Sequence, residues 1–155
     1  MKVETVYRTK SRRRTAANEA VVIHCSDHRF QGAFHEFLTE GLNLRTYALL
    51  AIPGGGHFAS AEMYMPKFVK VGMQNLGFLV KRTGARRLVI FGHDDCLFFK
   101  EQLEFLYADG ELDQKQFANL VKARSVFRER FPKVGVEIYF ADGLGEDSIQ
   151  FLRID

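Results

Sequence analysis

The sequence predicts an α/β domain: a mainly parallel four-stranded sheet flanked by helices, with an antiparallel C-terminal edge strand. Three observations lead there. Short apolar, β-branched runs alternate with longer segments of helical period, the order expected of βαβ units. Glycine or proline punctuates the junctions, at Pro53-Gly54-Gly55-Gly56, Gly84, Gly92 and Pro132. The last two apolar runs are joined through the Gly-rich link Asp142-Gly143-Leu144-Gly145, which suits a hairpin and makes the final strand antiparallel.

Ala20 to His24 is the first strand, short and apolar enough to be buried on both faces. Gly32 to Glu40 places Phe34, Phe37 and Leu38 at helical spacing. Arg45 to Ile52 reads as strand two, closed by Pro53 and three glycines. From Ala59 to Arg82, Met65, Phe68, Leu76 and Leu79 share one helical face, and Gly84 ends the segment. Arg87 to Phe91 is strand three, with Gly92 as its breaker. Leu97 to Tyr107 is predicted helical. Asp113 to Arg130 is a longer helix whose buried stripe is Phe117, Leu120, Val121, Phe127 and Phe131. Val134 to Ala141 and Ile149 to Ile154 complete the sheet. Strands followed by helices imply right-handed crossovers, and in such sheets chemistry gathers beyond the strand C-termini.

The chain of 155 residues is long enough for one domain. The expected division is a basic arm over 1–19 and a single α/β domain over 20–155. Lys2, Arg8, Lys10, Arg12, Arg13 and Arg14 face only Glu4 and Glu19 in the arm, a local charge of +4 against +3 for the whole chain. The arm is expected to be a solvated or partner-packed extension. No aromatic interleaving or nucleic-acid motif accompanies it, so a nucleic-acid partner is not expected. No apolar run reaches the ~20 residues of a membrane span, so no membrane partner is expected either. No hydrophobic segment follows the N-terminal basic residues, so the expected location is cytoplasmic.

Two segments lie at the predicted rim. Cys25-Ser26-Asp27-His28-Arg29 follows strand one, and Gly92-His93-Asp94-Asp95-Cys96 follows strand three. In a reducing compartment Cys25 and Cys96 are either buried thiols or metal ligands rather than a structural disulfide. Cys, His and Cys form a set that zinc accepts tetrahedrally with one position open. Magnesium or calcium would want oxygen donors instead. His93 and Cys96, three residues apart, can meet one ion from one turn.

C-x-D-x-R after a first strand and G-H-x-D-C after a third resemble the signature of the β-class carbonic anhydrases. The similarity runs from strand one to the terminal hairpin. The resemblance implies that Cys25, His93 and Cys96 hold Zn2+ and that Asp27 and Arg29 form a catalytic carboxylate–guanidinium dyad. It implies that Gly54, Gly55 and Gly56 form the substrate loop, and that the protein is a homodimer hydrating the small molecule carbon dioxide to bicarbonate. Two positions depart from the family pattern. Leu97 stands where a glycine usually follows the second cysteine, and Pro53-Gly54-Gly55 replaces an Asn-Ala-Gly stretch.

The chemistry is coherent without the family name. Zinc lowers the pKa of water to about 7, a carboxylate can orient that water, and Arg29 can fork onto Asp27 and keep it charged. The alternatives are a zinc hydrolase of carbonyl sulfide or carbon disulfide on the same scaffold, a non-catalytic zinc-stabilised binding protein, and a redox dithiol. Asp95 is expected to cap the following helix and Asp94 to be solvated. His24 reads as a core residue and His35 as helix surface. His28 and His57, on loops near the rim, are candidates for passing protons. Phe98 and Phe99 are expected in the core or a dimer contact.

Overall fold

A computed structural model describes residues 1, 3–11, 16–143 and 148–155. Lys2, Arg12, Arg13 and Arg14 of the basic arm, and Leu144-Gly145 of the expected hairpin link, lie outside them. The strands are β1 (Ala20–His24), β2 (Tyr47–Ala51), β3 (Arg87–His93), β4 (Gly135–Asp142) and β5 (Gln150–Ile154). They form one sheet in the order β2-β1-β3-β4-β5. The first four strands are parallel and β5 runs antiparallel to β4. This is the architecture the alternation of strand and helix predicts.

The helices are α1 (Gln31–Glu36), α2 (Pro66–Thr83), α3 (Leu97–Gln102) and α4 (Leu112–Arg130). Alternate residues of the central strands serve opposite faces of the sheet. Val21, Ile23, Leu88 and Ile90 join Leu76 of α2 and Leu120 and Phe127 of α4 in one core cluster. Ala20, Val22, Val89 and Phe91 join Phe34 of α1 in the other. Every residue of β1 is buried, as its unbroken apolar run requires.

Several boundaries differ from expectation for identifiable reasons. β3 continues through Gly92 to His93. Gly92 does not break the strand; a Cβ there would lie 2.7 Å from Leu120 Cδ1, so glycine lets α4 pack against the strand end. α2 starts at Pro66 because the stretch after Gly54 folds first into a 3₁₀ helix, Gly55–Ser60. Its C-terminal end behaves as expected, with Gly84 at φ +64° donating its N–H to Val80 O. The segment after α1 becomes a π-helical turn, Phe37–Gly41. α3 stops at Gln102, and a separate 3₁₀ turn covers Glu104–Leu106.

The buried stripe of α4 is only partly apolar. Gln116, Asn119, Leu120, Ala123 and Phe127 are buried, whereas Val121 is 38% exposed. The described residues of the arm before Ala20 carry no helix or strand and are almost all exposed. Glu19 N–H to Thr46 O and Thr46 Oγ1 to Ala17 O tie the arm's end to the start of β2.

Candidate metal centre

Parallel strands bring their C-termini to one rim, and the two ligand-bearing turns meet there. Cys25 directly follows β1, and His93 is the last residue of β3. Their ligand atoms and that of Cys96 all lie within 4.8 Å of one another, and all three residues are buried. His93 Nδ1 lies 2.6 Å from Asp94 O. A carbonyl only accepts, so Nδ1 carries the proton and Nε2 holds the lone pair. That Nε2 is buried with no hydrogen-bond partner. A buried imidazole nitrogen left unpaired beside two thiols is what a metal ligand looks like without its ion.

The electrostatics of the cysteine pair agree. The Cys25 thiol is held well below its usual range, chiefly by the hydrogen bond from Cys96. Cys96 is pushed up by the same contact and by burial. Gly54 adds its backbone N–H to Cys25 Sγ at 3.3 Å. Gly54 has φ +81° and Gly55 +52°. A Cβ on Gly55 would sit 2.6 Å from Phe91 O and 2.8 Å from Cys25 N, so the loop passes directly behind the cluster.

The first turn is locked by its own side chains. Asp27 caps the 3₁₀ turn His28–Phe30 and accepts from Arg29 N at 3.0 Å. Gln31 Nε2 donates to Cys25 O at 2.9 Å and Asp27 O at 2.8 Å. Arg29 Nη2 donates to Asp27 Oδ2 at 2.7 Å, and Nε reaches Oδ1 at 3.1 Å. This forked hydrogen bonding holds the Asp27 carboxyl down at about 2. Asp27 is therefore a carboxylate at neutral pH and stands outside the Cys-His-Cys cluster.

The second turn is held from the interior. Asp94 N–H donates to Ala141 O, Gly143 N–H donates to Asp94 Oδ2, and Gln116 Nε2 donates to His93 O at 2.8 Å. Asp94 is thus buried, contrary to the solvated position expected of it. Asp95 does not cap α3; Cys96 holds that position without a side-chain cap bond. Instead Asp95, at φ +49°, accepts from Arg29 Nη1 at 2.9 Å and pairs with Lys100. Its carboxyl lies below the usual range, through Lys100 first and Arg29 second. Arg29 therefore joins two turns 66 positions apart.

A cavity of about 340 Å³ opens on this rim. Asp27, His28 and Arg29 give it a polar side, and Pro53, Leu97 and Phe98 an apolar one, with Cys25 also lining it. Of the Pro53–Gly56 loop only Pro53 lines the cavity; the glycines lie behind the cluster. Phe99 is in the core, as expected, and Phe98 lies against Gly54.

The remaining histidines divide. His24 is buried, stacks on Phe34 at 4.7 Å and bonds Cys25 O. His35 is exposed and bonds Tyr47 Oη. His28 is exposed at the cavity. His57 is interior, in the 3₁₀ helix Gly55–Ser60, rather than on an exposed loop. It is fully buried, donates Nδ1 to Asn119 Oδ1 at 2.9 Å, and burial lowers its pKa to about 4. Gln116 and Asn119 were missed from sequence. Their signal is two polar residues at helical spacing inside an otherwise apolar stripe.

No protein-family model and no curated protein sequence matches the chain. Solved structures do. A β-carbonic anhydrase from Trichomonas vaginalis covers 94% of this chain and 87% of its own, at TM-score 0.58 and 12% identity. Carbonic anhydrases from Glaciozyma antarctica and Streptococcus mutans each cover 90% of this chain, and 83% and 82% of their own. Their TM-scores are 0.56 and 0.53, at 12% and 13% identity. The chain thus shares the fold of β-class carbonic anhydrases over nearly its whole length, with a Cys-His-Cys cluster at the rim. Among the described residues no helix is long and apolar enough to cross a membrane.

Proposed function

We propose that this chain is a zinc lyase that reversibly hydrates carbon dioxide to bicarbonate. The observation that carries the reading is the buried trio of Cys25, His93 and Cys96 with the unpartnered Nε2 of His93. Two sulfurs and an imidazole suit zinc's borderline-soft preference, and three protein donors leave a fourth position for substrate chemistry. When bound, zinc supplies Lewis acidity that makes a hydroxide nucleophile available near neutral pH.

The chain's own residues do the rest. Gly54 N–H spreads charge off Cys25 Sγ, and the Nδ1–H bond to Asp94 O fixes the tautomer of His93. Asp27, kept ionised by Arg29, is too weak a base to take a proton at neutral pH and acts as a hydrogen-bond acceptor that orients water. Arg29, tied also to Asp95, keeps that carboxylate clear of the metal ligands. Pro53, Leu97 and Phe98 give an apolar wall on which a small uncharged electrophile can rest. Water's oxygen adds to the carbon of carbon dioxide, and one proton leaves to solvent. His28, exposed at the cavity, can carry it. The same resemblance supports a homodimer, testable by light scattering of the intact chain.

Leu97 favours a second reading. It stands where the family usually has glycine and is 58% exposed at the cavity, which adds apolar surface suited to carbonyl sulfide or carbon disulfide. Stopped-flow hydration of carbon dioxide by the zinc-loaded protein, beside hydrolysis of the two sulfur substrates, decides between them. Fast hydration abolished by a chelator supports the first reading. Poor hydration with fast release of sulfide supports the second. A zinc-loaded protein inert towards all three substrates refutes both and leaves a non-catalytic zinc protein.

A further inference from the structure

The strongest unassigned feature is the outer face of α2. At about 100° per residue, Lys67, Lys70, Val71, Gln74, Phe78, Lys81 and Arg82 fall within a sector of about 120°. All seven are exposed, Val71 by 56% and Phe78 by 66%. The opposite side of the helix is buried through Val69, Gly72 and Leu76, so α2 lies flat on the domain with this stripe outward. No Asp or Glu occurs from Met63 to His93, a stretch holding Lys67, Lys70, Lys81, Arg82, Arg86 and Arg87. Among the described residues Lys67, Lys70, Lys81 and Arg82 form no salt bridge, whereas Arg87 pairs with Glu137.

Topology concentrates the charge further. Val21 of β1 is in register with Leu88 of β3, so the chain enters β1 at the sheet edge where Arg86 and Arg87 lie. The basic arm therefore leaves the domain from the edge at which α2 also ends.

We infer that this face docks on an anionic phospholipid bilayer, independently of the proposed activity and against the sequence expectation of no membrane partner. A helix face mixing cations with isolated large apolar side chains suits the lipid headgroup region, where ammonium groups meet phosphate and Phe78 and Val71 reach the acyl boundary. A second copy is a poor occupant. A two-fold pairing of this face with itself would set four cations against four, with no acidic residue from the stretch to intervene. A nucleic-acid backbone would satisfy the cations but gives exposed Val71 no partner.

The test is co-sedimentation of the intact, zinc-loaded protein with vesicles of neutral phosphatidylcholine, alone or with about 30% phosphatidylglycerol. Binding is expected only to the anionic vesicles and should weaken sharply between about 0.05 and 0.5 M salt. Lys70→Gln with Lys81→Gln should weaken it roughly 25-fold, at about fivefold per charge. Phe78→Ser should weaken it several-fold, with melting temperature and zinc content unchanged in both variants. No binding at low salt, or binding that these variants leave intact, overturns the inference. So does tight binding of a short RNA or DNA duplex without vesicle binding. Phe78→Ser splitting an oligomer while sparing vesicle binding would likewise assign the face to a second copy and overturn it.

Discussion

The two turns that meet at the metal cluster are built on different principles. The turn after β1 gives one ligand and is held by its own side chains at the surface, with Asp27, Arg29 and Gln31 closing on each other within five residues. The turn after β3 gives two ligands and is held from behind by α4 and β4, through Gln116 and Ala141. The first can change without disturbing the core, and it carries the groups that face the cavity. The second is continuous with the core and supplies His93 and Cys96 to the candidate metal cluster. Arg29, reaching Asp95, is the strut between them.

The largest effect expected tests the second turn. His93→Ala should lose most of the zinc, and the apoprotein should melt well below the wild type, because binding energy at such a site is also folding energy. Metal analysis with calorimetry checks this, and an unchanged melting temperature would separate the cluster from the fold. Next comes the first turn. Asp27→Asn should keep zinc but lower hydration by roughly 10²-fold, the scale of a lost positioned group. A variant that hydrates as fast as the wild type would remove the dyad from the mechanism.

The two glutamines sharpen the contrast at smaller magnitude. Gln116→Ala removes a buried donor from His93 O and leaves a void, which should cost about 2–4 kcal/mol in urea unfolding. Gln31→Ala, at a half-buried position, should cost about 1 kcal/mol and show mainly as slower turnover. Equal costs would mean the surface turn is as much part of the core as the other.

The smallest effect is a control at the opposite edge of the sheet. Arg87 holds the Glu137 carboxyl below its usual range, with side chains 38% and 24% exposed. A depressed carboxyl pKa contributes stability above its unfolded value of about 4.3 and loses it as pH falls through the folded one. Solvent screening limits the contribution to about 1 kcal/mol. Glu137→Gln should therefore lower stability slightly at pH 7, and the difference should shrink as pH falls below the carboxyl's unfolded value, measured by urea unfolding across that range.

What was legible in the sequence follows the same division. Cys25, Asp27, Arg29, His93 and Cys96 could be read because each turn is a short contiguous motif beside a strand. β1 and the antiparallel β5 were legible because an unbroken apolar run and a Gly-rich link are local signals. Gly92 misled because its reason is long-range, the approach of Leu120 from α4. His57 sits among loop glycines in sequence, yet Asn119 and Phe99 enclose it. The roles of Asp94 and Asp95 depend on partners in β4, its following turn and the β1 turn, which no local pattern carries.

X-ray absorption at the zinc edge of the purified wild-type protein tests the central claim most directly. Cys25, His93 and Cys96 should appear as two sulfur neighbours at about 2.3 Å, with light-atom neighbours at about 2.0–2.1 Å that include one imidazole. Protein that purifies stable without zinc, or a shell with no sulfur or with only one, would contradict the account.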